Sequence, residues 1–251
     1  MNDILKDIKY INKTSLNRTI KSISKNWMII FTGIIYTILN IAIFSLVNIF
    51  LTGFLSILSG IVIAIITAAF ISNYLYLLFN IINYDRLSVQ AFKDGVTYFL
   101  RKIYGILFIG YLSSYLLSIV SNMLGSLSFI INIAVYLGIF VLLNPLPETI
   151  YLKSYGSWES VQSAFEFMGE NWLNWILPNV IFLGAIYLIT GNVITNIFTT
   201  HLSFNMAFSI RNIILYIVGQ GLFSFTMIYR GHLYKILSGS TRRKRMFMNK
   251  Y

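Results

Sequence analysis

The sequence predicts an all-α polytopic membrane protein with six transmembrane helices, and three observations carry this. Asp, Glu, Lys and Arg are absent from residues 26–84, 103–147 and 171–210, blocks of 59, 45 and 40 residues, and from the 18-residue run 212–229. A bilayer core takes about 20 apolar residues per helical crossing, so the first two blocks hold two crossings each and the others one each. Mean hydropathy is +0.74 and 57% of the 251 residues are hydrophobic, which leaves too little polar surface for a water-soluble fold.

The crossings fall near Trp27–Phe50, 54–79, 103–124, 129–146, 173–197 and 212–233, in a single membrane domain over 1–251. The opening segment is charged and has no small-residue cleavage site after the first apolar run. That run is also too long for a signal-peptide core, so it reads as a retained helix. Zero cysteines exclude disulfides, thiolate metal sites and cysteine nucleophiles.

Charge sits in four islands. The first sets Lys6, Lys9, Lys13, Arg18, Lys21 and Lys25 against Asp3 and Asp7. The second sets Arg86, Lys93, Arg101 and Lys102 against Asp85 and Asp94. The third, residues 148–170, has Lys153 against Glu148, Glu159, Glu166 and Glu170. The last carries Arg230, Lys235, Arg242, Arg243, Lys244, Arg245 and Lys250 with no acid. Lys and Arg mark the cytoplasmic side, so both termini and both long charged loops are expected there, in a cell membrane. The three outer connections share one formal charge, Arg211, and two are very short, which excludes an extracellular receptor domain.

Each pair of crossings follows a similar amphipathic stretch. Ser15, Asn26 and Trp27 match Ser160, Asn171 and Trp172 at an offset of 145, and Ser88-Val89-Gln90 matches Ser160-Val161-Gln162 at 72. Steps of about 72 residues predict three repeats (14–82, 87–150 and 157–237) followed by a basic cytoplasmic tail, 238–251. Each repeat is expected to be an interfacial helix and then a membrane hairpin. Leu16, Ile20, Ile23 and Trp27 form the apolar stripe of the first helix, with Arg18, Lys21 and Lys25 opposite. Val161, Phe165, Met168 and Trp172 form that of the third, with Glu166 and Glu170 opposite. Val89, Phe92, Val96, Phe99 and Leu100 serve the second. Ser15, Ser88, and Ser157 or Ser160 are the expected N-caps. The helices should lie along the inner leaflet before the chain turns into the membrane.

Arg18, Lys21 and Lys25, with the tail cluster Arg242, Arg243, Lys244 and Arg245, are expected to contact anionic inner-leaflet headgroups. RNA is a remote alternative for that cluster, and no nucleic-acid partner is assigned. The acidic third stretch, Glu159 to Glu170, needs another neighbour: the first helix, the basic tail, or a cytoplasmic basic protein or ATPase. A solvated face without partner competes equally, since exposed ion pairs add little.

Ser56, Gly60, Ala64, Ala68 and Ser72 recur every fourth position, a spacing that lets helix backbones approach in lipid. They read as a packing seam, with an oligomer face or a pore wall as competitors. Asn144-Pro145-Leu146-Pro147-Glu148 is a helix stop at the inner surface. Glu148 there is the leading functional carboxylate, beside Glu166 and Glu170. A plain interfacial pairing with Lys153 or Arg86 competes with that role. Pro178 is expected to shape the first turn of the fifth crossing. His201 and His232 are isolated and make no zinc site. HExxH, GxSxG and phosphate-binding glycine motifs are absent, so neither a catalytic site nor a cofactor is expected.

The Ser-Val-Gln stretches, the Asn144–Glu148 string and Asn171-Trp172 together resemble bacterial six-helix membrane proteins, including families similar to the membrane domain of glycerophosphodiester phosphodiesterases. That resemblance implies an accessory or scaffold role and transfers no catalytic residue, because the family's phosphodiesterase activity belongs to a separate soluble domain. Two functions are carried forward. One is a non-enzymatic scaffold docking partners or lipids at the cytoplasmic face. The other is the permease subunit of an ATP-driven exporter.

Overall fold

A computed structural model describes residues 2–53, 56–203 and 209–240. Among them nine α-helices run in chain order: α1 Asn2–Lys25, α2 Thr32–Phe50, α3 Ser56–Tyr84, α4 Val89–Tyr98, α5 Leu100–Leu124, α6 Ser128–Leu142, α7 Leu146–Leu152, α8 Ser157–Thr190 and α9 Ile210–Gly239. Single 3-10 turns, Trp27–Phe31 and Gly125–Leu127, lead into α2 and α6. Six stretches are long and apolar enough to cross a membrane: Trp27–Phe50, Leu58–Tyr84, Leu100–Leu124, Ser128–Leu152, Ser157–Thr190 and Ile210–Gly239. The count and kind of helices are those of a multi-pass membrane protein.

Helix length explains the shape. At 1.5 Å per residue, α3, α8 and α9 run roughly 44, 51 and 45 Å, well beyond the ~30 Å of a hydrocarbon core. Their surplus lies at one end of the bundle, the base, where α1, α4 and α7 fill the gaps between them. Buried side chains concentrate there: Ile71 to Ile82 on α3, Leu146 to Tyr151 on α7, Phe167 and Trp175 on α8, Phe223 to Leu237 on α9. Toward the hairpin turns the helices splay, and α6 buries no residue at all.

In lipid, apolar burial does not drive helices together, so packing and hydrogen bonds must. The base is rich in both. Ser72 Oγ donates to the Gly95 carbonyl at 2.7 Å and accepts the Phe99 N–H at 2.8 Å, pinning α4 back along α3. Asn73 donates to the Phe92 carbonyl and accepts from Tyr36. Ser88 caps α4 as expected, accepting the Ala91 N–H at 3.1 Å.

Several expectations need correction. Helix α1 begins at Asn2, so Ser15 is no cap; it lies mid-helix and buried. The face of α1 buried against the bundle is Asp7, Ile11, Ser15, Thr19 and Ser22, while Ile20 and Trp27 of the apolar stripe are 54% and 53% exposed, as a face laid against a leaflet would be. Small polar side chains allow α1 close against the last half of α9, where Ser22 meets His232 Nε2 at 3.2 Å and Asn12 accepts from Tyr229. In the third stretch Ser160, Ala164, Phe167 and Met168 pack inward, while Phe165 and Trp172 of the apolar stripe are exposed. No turn separates that stretch from the crossing that follows, because α8 runs unbroken through Asn171 and Trp172. Ser157 is its first residue and Gly156 the cap, with the Glu159 carboxylate accepting the Gly156 N–H at 2.8 Å. Pro178 is buried deep inside α8 rather than in a first turn.

The small-residue seam holds only in its lower half. Ala68 and Ser72 are fully buried, whereas Ser56 and Gly60 are exposed and a side chain at Gly60 would meet nothing within 4 Å; Ala64 is half-buried. Lys25 is engaged with Asp85 at 2.6 Å. Partial burial works to raise the Asp85 pKa, but the Lys25 and Ser22 contacts outweigh it and hold the carboxyl below its ordinary value. Arg18 and Lys21 stay exposed. Arg242, Arg243, Lys244 and Arg245 lie outside the described residues.

Candidate functional site

The proline pair builds the site. Helix α6 ends at Leu142, and Pro145 lacks the N–H that would continue it. Pro147 enters α7 in its first turn, where the missing donor costs nothing. The resulting break turns the Asn144 carbonyl and the Glu148 carboxylate toward α9. There Arg230 donates from Nε to Glu148 Oε1 at 2.7 Å, and from Nη2 to Glu148 Oε2 at 2.9 Å and to the Asn144 carbonyl at 2.7 Å. The Asn144 side-chain oxygen accepts the Trp175 indole N–H at 2.9 Å, and the Trp175 ring centroid lies 5.2 Å from the guanidinium carbon. The α6–α7 break, α8 and α9 thus box one cation.

Glu148 is fully buried and Arg230 only 6% exposed. A desolvated charge is tolerated only when paired and hydrogen-bonded, and a two-pronged Arg–carboxylate contact meets that condition. Arg230 lies 20 residues after Ile210, roughly 30 Å along α9. The pair therefore sits one hydrocarbon thickness from the start of that crossing, where the splayed helices meet the base. Around it the Thr149 and Tyr234 hydroxyls are 2.9 Å apart. The buried hydroxyls of Tyr74 and Tyr151 have no hydrogen-bond partner among the described residues. Gly231 leaves the space that the Tyr151 hydroxyl occupies: a Cβ there would sit 2.6 Å from it and 2.8 Å from Ile82.

Glu148 is thus brought into a site, but its partner is Arg230, not Lys153 or Arg86. Arg230 had been counted with the solvated last island. A signal for it was there: Arg230 closes the 18-residue uncharged run 212–229, as Glu148 on α7 closes the uncharged run 103–147.

Above the pair the chain does something unforeseen. The fifth crossing ends at Thr190, seven residues earlier than expected, because Gly191 takes a left-handed conformation (φ 69°) and its N–H bonds the Tyr187 carbonyl at 2.8 Å. The chain then folds without helix into the bundle instead of arching over it. Thr200 and Leu202 are buried, the Leu202 N–H donates to Gln220 Oε1 at 3.1 Å, and the Gln220 amide lies against Gly33 of α2. His201 is held by Thr200 at 2.8 Å and lies 6.2 Å from the Tyr36 ring. Irregular backbone at such depth survives only when protein covers it. A cleft of about 20 Å³, room for roughly one water, runs from Asn196 and Thr199 on this segment past Thr226 to Asn144 and Arg230.

Burial pulls the His201 pKa below its ordinary 6.5. The unfolded segment then binds a proton more readily than the folded one, so its stability rises with pH and is lost as pH falls below about 6.5. The protection of the Leu202 amide, its exchange rate relative to the intrinsic rate, should fall as pH drops from 7.5 to 5.5. His201→Phe should abolish that pH dependence; an unchanged profile in this variant would assign it elsewhere.

Glu166 and Glu170 are placed away from the ion pair. They are exposed on α8 and line a groove of about 790 Å³ at the base, with Asp7 of α1, Lys153, Asn171 and Tyr234. Among the described residues no three His, Asp or Glu side chains are placed to hold a metal ion. No protein-family model, no curated protein and no solved structure matches the chain.

Proposed function

We propose that this protein is a non-enzymatic membrane scaffold or accessory subunit that docks a partner at its base, on the cytoplasmic side. The observation that carries the reading is the groove between α1, α8 and α9, where exposed Glu166 and Glu170 of α8 lie with Lys153 and the buried Asp7 of α1. A basic cytoplasmic protein or a basic surface of an ATPase fits such a groove. The bias of Lys and Arg toward the islands at the base supports N-in, C-in orientation. Anionic headgroups of the inner leaflet are the expected neighbours of Arg18 and Lys21, which are exposed on α1.

The threefold repeat is part of the proposal and has local support. At the offset of 145, Ser15 and Ser160 are both buried, and Thr19 and Ala164 are both buried. Asn26 and Asn171 both donate to the carbonyl four residues back, at 2.9 and 3.2 Å. Trp27 and Trp172 both face outward.

One feature favours the second reading, a permease subunit of an ATP-driven exporter: the irregular segment 191–203 reaching toward a buried ion pair, as transport pathways use broken backbone. One experiment separates the two. A photo-crosslinker at Asn171 in the full chain, in cells, should trap a cytoplasmic partner, and Glu166→Lys with Glu170→Lys should cut the yield at least tenfold. A transport ATPase in the adduct favours the exporter. No adduct, or one indifferent to charge reversal, removes the docking role.

A further inference from the structure

We propose that the base holds a second site, for the phosphate headgroup of an anionic glycerophospholipid of the adjoining leaflet, where α5 leaves α4 beside the α7–α8 connection. A groove of about 650 Å³ is lined there by Arg101, Lys102 and Lys153, with Tyr98, Phe99 and Tyr155 as its aromatic wall. Lys102 is held in place: its ammonium donates to the Ile150 carbonyl at 2.8 Å and the Lys153 carbonyl at 3.0 Å, closing the end of α7. An ammonium has three donors, so one remains for a ligand. Arg101 and Lys153 form no ion pair with a described carboxylate. The neighbouring acid, Glu159, is occupied by the Gly156 N–H at the rim.

Three cations share the groove with a single nearby acid, Glu159, whose charge acts on Lys102, and an anion relieves the repulsion left between them. A phosphate diester is the anion available at this height. The groove opens where the crossing Leu100–Leu124 begins, which is headgroup level for a helix of that length. The surface above is suited to the rest of a lipid. Tyr104, Phe108, Tyr111 and Tyr115 continue the stripe of Arg101 up α5 at helical spacing, and all four are exposed by 41% or more. Charge at the foot of an aromatic and apolar stripe matches a headgroup with its acyl chains, not a free ion. Basic pockets between transmembrane helices recognise anionic headgroups in this way.

The site differs from the α1 cations Arg18 and Lys21 in being a groove rather than an exposed helix face. It shares Lys153 with the acid-lined groove but not Arg101 or Lys102, so Arg101→Gln alone separates lipid binding from the docking role. The test is lipid binding to the detergent-purified full chain, followed by native mass spectrometry. Phosphatidylglycerol should bind, phosphatidylcholine should bind at least tenfold more weakly, and equimolar inorganic phosphate should not displace the lipid. Arg101→Gln with Lys153→Gln should weaken phosphatidylglycerol binding about thirtyfold, from about 1 kcal/mol per basic residue. Lys9→Gln with Lys13→Gln, on exposed positions of α1, should leave it unchanged. Each single variant in the groove should show a partial loss, which guards against a double variant that misfolds. Equal binding of the two lipids, displacement by inorganic phosphate, or full affinity in the groove variant would each overturn the proposal.

Discussion

Glu148→Ala should destabilise the full chain by about 3–5 kcal/mol, the largest single-residue effect expected in this molecule. The reason is what it leaves behind. Arg230 is 6% exposed, boxed by Asn144 and Trp175, and its two bonds to Glu148 are what offset the loss of water around it. Removing one partner strands the other as a bare charge. Removing both is different, because packed apolar side chains can replace a buried pair at little cost. Glu148→Leu combined with Arg230→Met should therefore recover most of the loss. Thermal unfolding in mild detergent, followed through tryptophan fluorescence, reads both results. A single variant as stable as the parent would mean that the pair is hydrated, and the boxed-cation account would fail.

Gly231→Val should cost about 1–3 kcal/mol by overpacking, since a Cβ there meets the Tyr151 hydroxyl and Ile82 well inside contact distance. Tyr151 is buried and has nowhere to retreat. The informative control is Gly60→Leu. From the sequence alone this substitution in the small-residue seam should overpack the bundle, yet Gly60 opens onto free space. Its melting behaviour should match the parent within about 0.5 kcal/mol, as for an ordinary surface change. If Gly60→Leu unfolds the chain while Gly231→Val does not, the packing described for α3 and α9 is in the wrong place.

The number and rough positions of the crossings were legible because exclusion of charge from hydrocarbon is a strong, local signal that needs no partner. The buried faces were harder to read. The stripe Leu16, Ile20, Ile23 and Trp27 is apolar, and in water such a face would be the core. Ile20 and Trp27 are exposed, as a face laid against a leaflet would be, and so are Phe165 and Trp172; not legible was that the small polar Ser15, Thr19 and Ser22 would form the contact with α9. The upper half of the seam failed for a related reason: small residues permit close approach but do not compel it. Glu148 was recognisable as a lone acid at the end of an uncharged run. Its partner was not, because Arg230 stands 82 residues away and beside a basic island that explained it too easily. The folded-in segment 191–203 was hidden by its composition, since Ile194 and Ile197 read as the tail of a crossing until Gly191 ends the helix.

The proposed orientation puts the compact, ion-paired base in the cytoplasm and the less buried ends of the helices in lipid. Cysteine accessibility in intact cells tests it most directly, because the chain has no native cysteine. Thr52→Cys, at an exposed hairpin turn, should react with a membrane-impermeant thiol reagent from outside. Ser154→Cys, exposed at the base, should react only once the membrane is opened. The reverse pattern would invert the molecule, and ready labelling of both sites from outside would contradict the crossings themselves.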